Sequence, residues 1–145
     1  MFAKAIARYI RISPRKTRLV ADLIRGKSVD EARAVLMNLA KKATVYVGEV
    51  LNSAVANATR NPDVEPKDLF VSRITIDGGP MLKRYRAGSL GRAMTIRHRT
   101  SHILVELDLK KEARQRMAQA AAEPKTFKNK AKKILKKKKP AKKGA

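Results

Sequence analysis

Two histidines, His98 and His102, are the side chains in this sequence best suited to moving a proton or holding a metal. They lie four residues apart, and on a strand both face the same way. No further ligand stands at a suitable spacing, so the expectation is a structural or base-stacking role, with no metal and no other cofactor. Cysteine is absent, which excludes a thiol nucleophile, a disulfide framework and the cysteine-based zinc sites. Gly78-Gly79-Pro80 is not followed by the helix that a phosphate-binding glycine loop needs, and it reads as a strand break. There is no defensible Ser/His/Asp arrangement, and the carboxylates fall in helix caps and one loop. An enzyme is not expected.

The chemistry present in quantity is positive charge. Thirty-five Lys and Arg against 12 Asp and Glu give a formal charge of +23. Self-repulsion of this size is tolerable mainly beside a polyanion, and nucleic acid leads the candidates. The charge is also unevenly placed. Residues 1–27 carry +7, 28–79 carry −1, 80–99 carry +6, 100–123 are balanced, and 124–145 carry +11. A near-neutral globular middle is thus flanked by basic appendages. Arg8, Arg11, Arg15, Lys16 and Arg18 form one candidate nucleic-acid-binding cluster. Lys83, Arg84, Arg86, Arg92, Arg97 and Arg99, joined by His102, form the second, and no acid lies between Pro80 and Arg99 to neutralise it.

These cations need elements to position them. Ala3 to Ile12 reads as a strand with Ile6, Ile10 and Ile12 on one side. Ser13-Pro14 supplies an N-cap and a preset φ, and helix one follows over 14–25 with a stripe of Leu19, Val20, Leu23 and Ile24 and Gly26 as its stop. The helix N-terminus, with its macrodipole, favours a phosphate beside Arg11, Arg15, Lys16 and Arg18. Ser28-Val-Asp-Glu31 is a capping box for helix two, which buries Ala32, Val35, Leu36 and Leu39. After the basic turn Lys41-Lys-Ala-Thr44, helix three buries Val47, Val50, Leu51, Ala54, Val55 and Ala58 and ends before Asn61-Pro62.

Two alternating runs then bracket the second basic cluster. In Leu69 to Ile76, Phe70, Ser72, Ile74 and Ile76 share a face. In the other run Ile103, Val105, Leu107 and Leu109 do so. Antiparallel pairing puts the turn at Ala87-Gly-Ser-Leu-Gly91, with Gly88 and Gly91 taking positive φ. The arm over 77–102 then has about eleven residues to its tip and reaches roughly 35 Å. The expected fold is α+β: three helices on a small three-stranded antiparallel sheet, a long protruding β-hairpin and a disordered or helical basic C-terminal tail. Residues 1–109 form one domain including the hairpin, and 110–145 form an Ala/Lys-rich extension with helix propensity up to Ala122 and a lysine tract from Pro124. No apolar run approaches the ~20 residues that span a bilayer, so a soluble, cytoplasmic protein without a membrane partner is expected. On composition alone, a histone-like architectural protein that coats DNA with arm and tail also fits.

The motifs narrow that choice. Ile12-Ser-Pro-Arg-Lys16, Arg18-Leu-Val-Ala-Asp-Leu-Ile-Arg-Gly-Lys27, Asn52-Ser-Ala-Val-Ala-Asn-Ala58, Asp77-Gly-Gly-Pro80, Lys83-Arg84, Gly91-Arg-Ala93 and Arg99-Thr-Ser-His-Ile103 stand in the order and spacing of bacterial ribosomal protein L twenty-two, and the chain resembles that family over roughly residues 3–109. The resemblance implies a structural constituent of the large ribosomal subunit that binds 23S-type ribosomal RNA and supports subunit assembly. Its partners would be that RNA, neighbouring ribosomal proteins including L four, and the nascent polypeptide, with no homo-oligomer. It also implies that Lys83, Arg84, Arg92 and Arg99 contact RNA. Ala87, Gly88, Ser89, Leu90 and Gly91 would be the tip lining the nascent-peptide exit tunnel. The family commonly has a Pro-Arg-Ala-type tip, whereas this chain has Arg86-Ala-Gly-Ser-Leu90.

Overall fold

One long strand, Ala93–Leu109, runs through the middle of a three-stranded antiparallel sheet, and the other two strands pair with its two edges. In the computed structural model, which describes residues 2–62 and 64–115, the elements follow in order: β1 (Ala3–Ile10), α1 (Pro14–Ile24), α2 (Val29–Asn38), α3 (Lys42–Ala58), β2 (Leu69–Ala87) and β3 (Ala93–Leu109). A short 3-10 turn at Pro66–Asp68 leads into β2, and a second at Ser89–Gly91 joins β2 to β3. The chain divides into two units, Met1–Lys110 and Lys111–Ala145. In the second, residues 111–115 are helical, while the expected continuation of that helix to Ala122 and the lysine tract lie outside the described residues. So does Asp63 of the acidic loop.

The sheet order is β1-β3-β2, and the α+β architecture is the expected one. The three helices cover one face, with α1 against β2 and α3 against β1 and β3. Ile103, Val105, Leu107 and Leu109 are buried as their alternation predicts, and so is the α3 stripe from Val47 to Ala58. Each Val, Leu or Ile among them, removed from water, contributes roughly 1.5–3 kcal/mol. The α3 helix begins at Lys42, inside the stretch read as a turn, because Ala43 and Thr44 are buried and Thr44 Oγ1 donates to the Lys41 carbonyl at 2.6 Å. The capping box of α2 is present in both directions. Val29 joins its buried face, while Val35 and Leu39 are only half-buried.

Three expectations fail for one reason, the β-bulge, an extra residue in one strand that shifts its alternation. In β2, Val71 pairs with Leu107 and Arg73 with Glu106, which leaves Ser72 over; its hydroxyl donates to the Glu106 carbonyl at 3.1 Å. Leu69 and Val71 are therefore buried before the bulge and Ile74 and Ile76 after it, and Phe70 and Ser72 do not share the face of Ile74. In β1 the irregularity falls between Ala7 and Ile10, and the strand ends there instead of at Ile12. Ala3 and Ala5 point into the core, and Ile6 is half-exposed on the other side. The third bulge lies at Gly78-Gly79-Pro80. Gly78 pairs with Ser101 and Met81 with Arg99, so the strand continues through the supposed break, with Gly79 and Pro80 opposite Thr100. Proline lacks the amide a ladder needs, and a bulge tolerates it. Thr100 Oγ1 donates to the Pro80 carbonyl at 2.6 Å, and a Cβ on Gly79 would collide with that hydroxyl.

Helix α1 also turns a different face inward. Its buried residues are Thr17, Val20, Ala21 and Ile24, whereas Leu19 and Leu23 face out. Thr17 can be buried because its hydroxyl donates to the Ser13 carbonyl. The Ser13 hydroxyl caps no amide, since the Lys16 and Thr17 amides both use the Ser13 carbonyl. Gly26 ends the helix with φ +75°, and its amide donates to the Val71 carbonyl, covering the edge of β2.

Candidate nucleic-acid interface

Beyond the Ile10–Ser101 pair β3 has only β2 beside it, so the sheet narrows to a two-stranded ribbon. The ribbon runs from the Met81–Arg99 pair to the Ala87–Ala93 pair. At ~3.3 Å per residue that is about 20 Å. Apart from Leu82, which is half-buried, every residue paired within it is exposed, including Lys83, Arg84, Arg86, Arg97 and Arg99.

Residues opposite each other in an antiparallel pair point to the same side of the ribbon. One side therefore carries Lys83 opposite Arg97, Tyr85 opposite Thr95 and Met81 opposite Arg99. The other carries Arg84 opposite Ile96, Arg86 opposite Met94 and Leu82 opposite His98. Both sides are cationic, and neither has a carboxylate.

At the root of the ribbon, a groove of about 630 Å³ is lined by Arg11, Ser13, Leu82, Arg84, Arg97, His98, Arg99 and Thr100. Arg11 of the first cluster is thus brought to the root of the second, some 70 residues further along the sequence. With four arginines and no acid among its lining residues, the groove suits phosphate groups, which an arginine's planar fork binds bidentately. Sequence reasoning missed Ser13, Leu82 and Thr100 here; of the three only Thr100 stands beside an arginine in sequence, so the chain carried little signal for them. Tyr85 was missed as well, although an aromatic between Arg84 and Arg86 is a signal for base stacking.

The other expected residues lie elsewhere. Arg8 and His102 line a smaller hollow of about 310 Å³ with Ile6, Tyr9 and Asp77. There His102 Nδ1 accepts the Tyr9 amide at 3.0 Å, and the two rings meet edge to face at 4.8 Å. This bond holds Tyr9 at φ +60°, a conformation a non-glycine residue seldom adopts. Arg18 donates from Nε and Nη2 to the Ile76 carbonyl, at 3.1 and 3.0 Å, and so serves the fold with part of its fork. Arg15 and Lys16 are exposed on the first turn of α1.

At the tip, Gly91 has φ +68° as expected, but the second left-handed residue is Leu90 at φ +56° and not Gly88. Gly88 is extended. It is needed for a close approach, because its amide donates to the Arg92 carbonyl at 2.7 Å and a Cβ there would lie 3.1 Å from that oxygen. Leu90 is 91% exposed at the apex, with Arg92 two residues beyond it. Among the described residues no group of three metal-binding side chains occurs, and no helix is long and apolar enough to cross a membrane.

The sequence model of the family described as "Ribosomal protein L22p/L17e" matches residues 5–108. Curated relatives agree. "Large ribosomal subunit protein uL22" of Syntrophus aciditrophicus is 56% identical over 110 residues, covering 76% of this chain and all of that protein. The protein of the same name from Halothermothrix orenii is 52% identical over 112 residues, with 77% and 99% covered, and that from Desulfitobacterium hafniense 57% identical over 110, with 76% and 96% covered.

Proposed function

Because the chain belongs to the ribosomal protein L22p/L17e family and is a protein of the large ribosomal subunit, we propose that its root groove and arm bind the RNA of that subunit and help it assemble. The observation that carries this reading is the distribution of cations over both sides of the ribbon. A ribbon laid on the surface of a duplex would neutralise one side only. A ribbon with Lys83 and Arg97 on one side and Arg84 and Arg86 on the other is matched by a partner that surrounds it, which folded RNA does and a straight duplex does not. Arg11 and the arm arginines in the root groove hold the phosphates where the ribbon leaves the body, with Arg8, Arg15, Lys16 and the remaining donors of Arg18 adding contacts from the same end of the chain.

The tip, Ala87 to Gly91, would then line the exit tunnel beside ribosomal protein L four and face the nascent polypeptide. Support comes from the length of the ribbon and from the apolar, uncharged apex at Leu90, which offers a passing chain no fixed charge. The test is sedimentation of tagged full-length protein from cell lysate, beside a form in which residues 81–96 are replaced by a short Gly-Ser turn. The full-length protein should travel with the large subunit and the armless form bind more weakly or join late. Full-length protein that follows chromosomal DNA or stays at the top of the gradient defeats the reading.

A further inference from the structure

We propose that the arm carries a seat for one unpaired RNA nucleotide, its base stacked on Tyr85 and its phosphate held between Lys83 and Arg97. The proposal rests on the RNA-binding reading above and adds to it a residue and a substrate class. Tyr85 is 69% exposed, and among the described residues neither a hydrogen bond nor a ring contact engages it. The residue opposite is Thr95, too small to cover an aromatic ring from across the ribbon. One face of the phenol ring is therefore open on a surface without acids.

Lys83 and Arg97 stand directly opposite each other, one step toward the root on the same side. Like charges in that position repel and weaken the pairing of the strands. An anion between them removes the repulsion, and a phosphate fits both groups. Two residues along a strand separate Lys83 from Tyr85, about 7 Å, a distance that one nucleotide spans from phosphate to base. A base inside a duplex has both π faces covered by its neighbours, which is why the nucleotide must be unpaired.

The chain has no tryptophan, so Tyr85→Trp in the full-length protein creates a single indole reporter. It should be titrated with a single-stranded decamer of adenylate RNA, with the same RNA as a duplex, and with inorganic polyphosphate. Quenching by the single strand, and by neither of the others, is the expected result. Tyr85→Ala should weaken single-strand binding about 5- to 100-fold, with polyphosphate binding unchanged, and Tyr85→Phe should restore it. Lys83→Gln with Arg97→Gln should weaken both. If the single strand binds, the indole is not quenched and Tyr85→Ala binds as tightly as the parent, the seat is refuted and the RNA-binding reading survives. If neither the decamer nor large-subunit RNA binds the parent protein, both fall together.

Discussion

Strands β2 and β3 live two different lives along one continuous ladder. From Leu69 to Ile76, paired with Ile103 to Leu109, one side of the ladder lies under helices and its apolar residues are buried. From Met81 to Ala87, paired with Ala93 to Arg99, the same backbone pairing continues with cations on both sides and almost nothing buried. Backbone hydrogen bonds alone do not distinguish the two. The covered half is held by apolar burial. An isolated two-stranded ribbon is marginal in water, so the uncovered half has little besides its backbone ladder to hold it.

Experiments can break that contrast. The largest effect should come from Arg84→Glu combined with Arg92→Glu, which should abolish incorporation into large subunits while the unfolding free energy of the free protein changes by less than about 0.5 kcal/mol. A marked fall in melting temperature would show that arm and body are energetically joined. The mirror case is Leu107→Ala in the fully buried half. It should cost about 3 kcal/mol in denaturant unfolding, and a loss below about 1 kcal/mol would remove burial as the basis of the contrast. Between the halves, Gly79→Ala should cost about 1–3 kcal/mol by pressing on the Thr100 hydroxyl. That loss should shrink in a Thr100→Ala background, and strict additivity of the two changes would contradict the clash. The smallest effect is Ser28→Ala, about 1 kcal/mol through the α2 capping box alone, with subunit incorporation intact. Binding of the whole protein to RNA should also weaken with salt at a log–log slope of roughly −4 or steeper if six arm cations meet phosphates. A slope near −1 would mean that the arm contributes little.

Much of this was readable in the sequence. The alternation of Ile103 to Leu109, the i, i+3, i+4 stripe of α3, the capping box and the position of the hairpin turn each rest on local rules, and each is present in the fold. What escaped was tertiary. A bulge leaves no mark in a hydrophobic pattern except a phase error, and Phe70, Ser72 and Ile6 were assigned to the wrong side for that reason. Leu19 and Leu23 look like core in a helical stripe, and only the packing of α1 on β2 decides that Thr17 and Ala21 go inside. For the interface, charge segregation revealed both basic clusters. The placing of Arg11 in one groove with Arg84, Arg97 and Arg99 depends on the β1–β3 register, which no local signal carries.

Two of the three bulges flank the same short piece of β3. Arg8 and Tyr9 bulge out opposite His102 on one edge, and Gly79 and Pro80 bulge out opposite Thr100 on the other, each fastened by a hydrogen bond to β3. Bulges add bend and twist, so this place works as a wrist whose angle is fixed from both sides. Over a ribbon of about 20 Å, an error of roughly 10° at the wrist displaces the fingertip by about 3–4 Å, more than the reach of a hydrogen bond. The aim of the hand is therefore set by the body that carries it, and a change at Tyr9 or Gly79 would be felt at Leu90, a residue that neither one touches.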